Sequence, residues 1–268
     1  MITVNGKTLN FTSFPDGTTS FRYDPADDAM DGFAVSWLYD GDHECILLWH
    51  LVHHIREACG DSTPISLWMP YIPNARMDRV KQCDEVFTLK WFAMFINDLR
   101  FTHVKVLDPH SNVSAGLIDR IEVISACDCI QSVLEDLNGG RQMDVLLCYP
   151  DEGAAKRYAA QIPADYVFCI KHRDWRTGKI ERLELTSPEK VAGRNILIVD
   201  DICSRGGTFT HTAAALKKVG AKKIFLYVSH CENTIFDGSV LTDGQISRVF
   251  TTNSIYRGEH DKVTVIGG

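Results

Sequence analysis

No C-x-x-C pair occurs among the nine cysteines, which excludes the common zinc-ribbon and dithiol redox spacings. The nearest pair, Cys127-Asp-Cys129, reads as part of a buried, reduced segment. Nor does any apolar run reach the roughly 18 residues of a membrane span. The longest candidate, from Ile46 to Ile55, is broken by His50, His53 and His54. Basic excess is missing too: 28 Lys+Arg stand against 35 Asp+Glu, a formal charge of -7. With no basic, aromatic-interleaved stripe either, nucleic acid and anionic membranes are not expected partners, although a local basic pocket stays open. Low-complexity tracts are absent, and the opening Met-Ile-Thr-Val-Asn-Gly-Lys lacks the basic-then-apolar layout of a signal peptide. A soluble, cytoplasmic protein with reduced cysteines is expected.

The 268 residues suit one large domain or two small ones, and 45% hydrophobic with 24% charged residues is globular composition. Short apolar runs alternate with helical patterns. Strands are expected at Ile65–Tyr71, Val104–Leu107, Val145–Cys148, Tyr166–Ile170, Ile196–Val199 and Ile224–Val228. Helices are expected over Glu85–Leu99, Gly153–Gln161 and Thr208–Val219, the last stopped by Gly220. This alternation predicts an α/β protein of mostly parallel sheets flanked by helices. A composition change at Asn138-Gly139-Gly140 predicts two similar halves, residues 1–138 and 139–268. Ligands on such sheets bind beyond the carboxyl ends of the strands. Those places hold Asn74-Ala-Arg-Met-Asp-Arg79, Asp108-Pro-His110, Asp151-Glu-Gly153 and Asp200-Asp201.

The strongest chemical signal is Asn195–Gly220, NILIVDDICSRGGTFTHTAAALKKVG: an apolar strand, two acids, a Ser-Arg-Gly-Gly-Thr turn and a helix. Gly206 and Gly207 let backbone N–H groups approach an anion, and the helix start adds a favourable dipole. Ser204 and Thr208 supply hydroxyls and Arg205 a charged fork. Asp200 and Asp201 could bind sugar hydroxyls or help hold Mg²⁺. A phosphate at one end and a polyol at the other describe a ribose 5-phosphate site. The structural alternative is a buried strand followed by a hydrophilic turn.

This stretch resembles the PRPP-binding motif of type I phosphoribosyltransferases and PRPP synthetases. Met69-Pro-Tyr-Ile-Pro-Asn-Ala-Arg-Met-Asp-Arg79 looks like the PY-x-x-x-AR-x-DR segment of ribose-phosphate pyrophosphokinases. Asp108-Pro-His110 is similar to their D-x-H, and Tyr149-Pro-Asp-Glu-Gly-Ala-Ala-Lys-Arg157 to their S-P-D-x-G-x-x-x-R. Ile170-Lys-His-Arg173 resembles the K-x-R of their catalytic loop, and Phe14-Pro-Asp-Gly17 their F-x-D-G. The matches run in family order from residue 14 to about 230.

The resemblance implies two tandem phosphoribosyltransferase-like domains, with ATP on the N-terminal side and ribose phosphate on the C-terminal side. It implies transfer of the β,γ-diphosphoryl group of ATP to the anomeric hydroxyl of ribose 5-phosphate, with Mg²⁺ and release of AMP. Lys171, Arg173 and His110 then take catalytic positions. Phe14, Asp16, Arg76, Met77, Asp78, Arg79 and His110 take the ATP side, with Asp78 as ion-pair partner of the arginines. Asp200, Asp201, Ser204, Arg205, Gly206, Gly207 and Thr208 take the ribose-phosphate side. His110, Asp151, Asp200 and Asp201 are the metal-side candidates, His110 being either a ligand or a phosphate contact. Phe14 and Asp16 match residues that cover the adenine from a neighbouring subunit, which implies a homo-oligomer with composite sites.

Several positions depart from the pattern. Ser204-Arg205 replaces an acid-containing D-T-A-G-T context, Met77 replaces a glutamine, Thr18 replaces an acid, and the chain is short. The extra cation suits a more highly charged acceptor such as ADP-ribose, used for NAD⁺ salvage in short, phage-type enzymes that this chain also resembles. A base-transferring phosphoribosyltransferase and a non-catalytic regulatory relative are the alternatives of other classes.

Overall fold

A computed structural model describes residues 1–27, 32–139, 145–173 and 180–267, with 171–173 and 180–182 described through their backbone alone. The chain forms two compact units, Met1–Ile124 and Ser125–Gly268.

In the first unit β1 (Ile2–Val4), β2 (Lys7–Thr8) and a separate hairpin, β3 (Phe11–Ser13) with β4 (Thr19–Phe21), precede β5 (Phe33–Trp37). Then come α1 (His43–Cys59), β6 (Ile65–Trp68), α2 (Thr88–Asp98), β7 (His103–Leu107), α3 (Asn112–Leu117) and β8 (Ile121–Ile124). The sheet order is β2-β1-β5-β6-β7-β8, with β5 to β8 parallel and β1 antiparallel to both its neighbours. Alternation decides the faces: Phe33, Val35 and Trp37 of β5 are buried, as are Ile65 and Leu67 of β6. Against them α1 turns Leu47, Leu48, Leu51, Val52 and Ile55, at helical spacing. Buried Glu44 fixes the helix start by accepting from the Trp37 indole and the Asp40 N–H, both at 2.8 Å.

The second unit contains α4 (Cys127–Asn138), β9 (Val145–Tyr149), α5 (Glu152–Tyr158), β10 (Tyr166–Arg173) and β11 (Ile180–Leu185). It continues with β12 (Asn195–Cys203), α6 (Gly207–Lys218), β13 (Ile224–Cys231), β14 (Arg248–Thr252) and β15 (Val263–Ile266). Its sheet runs β11-β10-β9-β12-β13-β14-β15, parallel except for the β10–β11 hairpin. All eight residues of β13 are buried, as expected of a central strand covered on both faces. Successive side chains part company accordingly. Leu146, Ile196 and Ile198 join Phe209, Ala213 and Leu216 of α6, while Leu147, Leu197 and Val199 join Ile130, Val133 and Tyr158 from α4 and α5.

The expected α/β architecture and all six expected strands are present, with shifted ends. The division falls between Ile124 and Ser125, not at residues 138–139, because α4 buries its apolar face in the second unit. Gly139 is the left-handed cap of that helix, φ 52°, so the glycine marks a helix end. Further, β12 runs through Asp200 and Asp201 to Cys203, pairing with β13 as far as Cys231, so the two acids lie inside the strand. No described helix is long and apolar enough to cross a membrane.

Candidate active site

In the first unit, the segment after β6 carries Arg76 and Arg79 exposed, Met77 half-buried and Asp78 buried. Asp78 is held by Arg79, whose Nε donates to Oδ1 at 2.9 Å and whose second nitrogen reaches Oδ2 at 3.5 Å. Burial opposes ionisation of Asp78. Hydrogen bonding from Arg79 and Ser111 and the positive charge of Arg79 and His110 overcome it, leaving the carboxyl below its ordinary range. This carboxylate thereby joins the loop after β6 to the loop after β7, where His110 is half-buried. Each loop contains a non-glycine residue at positive φ, Asn74 at 62° and buried Asp108 at 41°. Left-handed Asn and Asp are tolerable but cost energy, and such strain concentrates at functional sites.

The Phe14–Gly17 stretch is the tip of the β3–β4 hairpin. Phe14 closes it by bonding Thr18 through N–H···O at 2.8 Å, and its ring is 56% exposed. Asp16 accepts the Thr18 hydroxyl at 2.7 Å and the Thr18 N–H at 2.9 Å, which holds its carboxyl below the usual range.

In the second unit, Asp151 caps α5 by accepting the Ala154 N–H at 3.0 Å. Asp201 is 4% exposed and pairs with Arg157 at 3.0 Å. Next to it, Asp200 accepts the Asp201 N–H at 3.0 Å. Burial pushes the Asp200 carboxyl well above its ordinary range, and the charges of Asp201 and Asp151 push it further. Beyond the strand, Gly206 takes φ 76° and α6 begins at Gly207. A Cβ on Gly206 would lie 2.1 Å from Cγ2 of Val240, so packing as well as backbone conformation demands glycine there. Ser204 and Thr208 are half-buried and Arg205 is exposed around the loop. The Phe209 and Thr210 N–H groups donate to the Gly206 carbonyl at 2.9 and 3.1 Å, and those of Gly207 and Thr208 precede these first bonds of α6, where an anion can receive them.

Two features escaped the sequence reading. Arg157 closes the Tyr149–Arg157 segment, and its partner Asp201 is 44 residues away in the chain. Gly238 packs against the Ser204–Thr208 loop: a Cβ there would sit 1.9 Å from the Arg205 carbonyl oxygen. Neither pairing has a local sequence signal. Lys171 and Arg173 were expected on a loop; their backbone belongs to β10, opposite Leu183 and Ile180 of β11, and their side chains lie outside the described residues. Among the described residues no three His, Cys, Asp or Glu side chains converge as a ready-made metal cage, and His110 belongs to the first unit.

A phosphoribosyl transferase domain model matches residues 123–255, nearly coextensive with the second unit. The ribose-phosphate pyrophosphokinase of Sulfolobus acidocaldarius is 27% identical over 260 residues, covering 94% of this chain and 86% of that protein. The ribose-phosphate pyrophosphokinase of Bacillus subtilis is 25% identical over 260 residues, covering 94% and 78%. The chain belongs to the ribose-phosphate pyrophosphokinase family. It is thereby an enzyme of the transferase class. The phosphoribosylpyrophosphate synthetase of Mycobacterium smegmatis shares the fold, with a TM-score of 0.75 at 17% identity over 97% of this chain and 86% of that one. The Asp78–Arg79 and Arg157–Asp201 pairs hold the two motif-bearing regions in shape.

Proposed function

We propose that the protein transfers the β,γ-diphosphoryl group of ATP to the anomeric hydroxyl of a ribose 5-phosphate unit. The carrying observation is a half-buried acid, Asp200, beside a buried one, Asp201, near the end of the strand that leads into a glycine-built loop and the start of α6. In the reaction the anomeric oxygen forms a bond to the β-phosphorus, the bond from that phosphorus to the α–β bridging oxygen breaks, AMP leaves, and the hydroxyl proton passes to solvent. With ribose 5-phosphate the product is PRPP.

The second unit supplies the ribose-phosphate side. N–H groups at Gly206 to Thr208, with Ser204 and Thr208 hydroxyls, receive the 5-phosphate. Asp200 and Asp201 face the sugar hydroxyls, Arg157 keeping Asp201 in place. The first unit supplies the ATP side through Arg76 and Arg79, Asp78 orienting Arg79. Lys171 and Arg173 neutralise charge on the reacting phosphoryl oxygens, the largest contribution available to a phosphoryl-transfer enzyme.

Mg²⁺ fits this donor set. Asp200 is crowded by Asp201 and Asp151, and a hard cation relieves that crowding. Mg²⁺ commonly uses one or two carboxylates and completes its shell with water and phosphate oxygens. Asp200 and Asp151 would hold it, and when bound it neutralises phosphate charge. Phe14, on a hairpin separate from the main sheet, suits a role over the adenine of a neighbouring copy, so the site is composite in a homo-oligomer.

Exposed Arg205 favours a second acceptor, ADP-ribose, whose 5-phosphate carries another phosphate. Chromatography of products from ATP, Mg²⁺ and either acceptor tests the assignment. AMP formed one-for-one with a 1-diphosphorylated sugar is expected. ADP as the nucleotide product, or no acceptor-dependent AMP, would contradict it and favour the regulatory or base-transferring alternatives.

A further inference from the structure

Immediately beyond the phosphate loop, a short segment is tied to it at both ends. The Glu232 N–H donates to the Cys203 carbonyl at 2.8 Å, and Gly238 lies against the Arg205 backbone so closely that a Cβ would be 1.9 Å from its oxygen. Between these anchors runs a single 3-10 turn, Asn233–Asp237, which presents Phe236 with 45% of its surface exposed. The ring is not loose. It stacks on Tyr256 with centroids 6.2 Å apart and planes 29° apart, and His260 stands 6.3 Å away. Gly258 makes room for it, since a Cβ there would be 2.4 Å from the ring. Tyr256 is 5% exposed, yet its hydroxyl has no hydrogen-bond partner among the described residues.

We infer that the acceptor site extends from Arg205 onto an aromatic shelf, Phe236 backed by Tyr256 and flanked by His260, which stacks a heteroaromatic base joined through a diphosphate to the ribose 5-position. The inference rests on the diphosphoryl-transfer reading and names the acceptor's far end. A surface ring that merely covered Tyr256 could be any apolar side chain. It would not require a glycine cleared beneath it. An exposed aromatic face accepts a base of any identity. Arg205, at the loop end of the segment, supplies charge for the second phosphate.

The test is acceptor-dependent AMP release by the full-length enzyme with ATP and Mg²⁺, comparing ADP-ribose with ribose 5-phosphate. Wild type is expected to use ADP-ribose at the lower KM. Phe236→Ala should reduce the ratio of kcat/KM for ADP-ribose to that for ribose 5-phosphate about ten- to hundredfold, as expected for one lost base stack. Phe236→Tyr should hold that ratio within about threefold, because the stacking face remains. AMP release with ribose 5-phosphate but none with ADP-ribose overturns the shelf and leaves the transferase reading standing. So does a ratio unmoved by Phe236→Ala. Should that variant fail to fold, calorimetric titration of wild type decides: ADP-ribose must bind at least tenfold tighter than ribose 5-phosphate. AMP with neither acceptor overturns the transferase reading itself.

Discussion

Arg157→Met tests the electrostatic core of the second unit. The guanidinium lies 3.0 Å from Asp201, whose side chain is almost fully buried, while that of Arg157 is 25% exposed. Removing one partner from a buried ion pair costs about 3–5 kcal/mol, because the other charge is left without compensation. Water reaches part of Arg157 and takes up some of that load, so about 2–3 kcal/mol is expected here. Methionine keeps apolar contact with the neighbouring Tyr158 ring, over which the guanidinium sits at 5.5 Å, so lost packing contributes little. The corresponding fall in Tm is roughly 4–12 °C. Urea unfolding of wild type, R157M, D201N and the double variant measures the coupling, which should exceed about 1 kcal/mol. An R157M protein within about 0.5 kcal/mol of wild type, or a D201N change that returns none of the loss, would refute the reasoning.

Gly206→Ala combines a positive φ with the 2.1 Å approach to Val240, so a loss of about 2–4 kcal/mol is expected; made in a Val240→Ala background the same change should cost only about 1 kcal/mol relative to that background, measured by urea unfolding. Asp200 is protonated more readily in the folded protein than its ordinary value of 3.8 implies, so its contribution to stability is complete below that value and is lost as pH rises through the raised one. Metal-free Asp200→Asn should therefore gain stability relative to wild type as pH rises above 3.8 while losing about a hundredfold or more in kcat; a pH-independent difference in unfolding free energy would contradict this. Asp78 has the opposite sign: its lowered value stabilises the fold above 3.8 and that contribution disappears as pH falls through the lowered value. Asp78→Asn should flatten this acid limb and raise KM for ATP severalfold through loss of Arg79 orientation, checked by acid unfolding and steady-state kinetics.

The parts legible in the sequence are those where local pattern and chemistry coincide. The run from Asn195 to Gly220 announces a buried strand, two acids, a glycine turn and a helix, and β12 with α6 follows that order. Asp78 between two arginines announces an ion pair, and the pair with Arg79 forms. What stayed hidden depends on contacts far apart in the chain. Gly139 reads as a linker glycine until the packing of Cys127, Ile130 and Val133 draws its helix into the second unit. Gly238 is one glycine among 19 until the Arg205 backbone lies against it. The strands β14 (RVFTT) and β15 (VTVI) interrupt their apolar runs with Arg or Thr, and pairing with β13 and with each other forms them.

The central claim is that the two terminal phosphates of ATP move together. Incubating the enzyme with Mg²⁺, ribose 5-phosphate and ATP labelled separately at the β- and γ-phosphorus tests it most directly. Both labels should appear together in the 1-diphosphorylated sugar with AMP unlabelled, and Lys171→Ala should slow that transfer by about a hundredfold or more. A γ-label in the sugar without the β-label, β-label retained in ADP, or a Lys171→Ala rate equal to wild type would contradict the account.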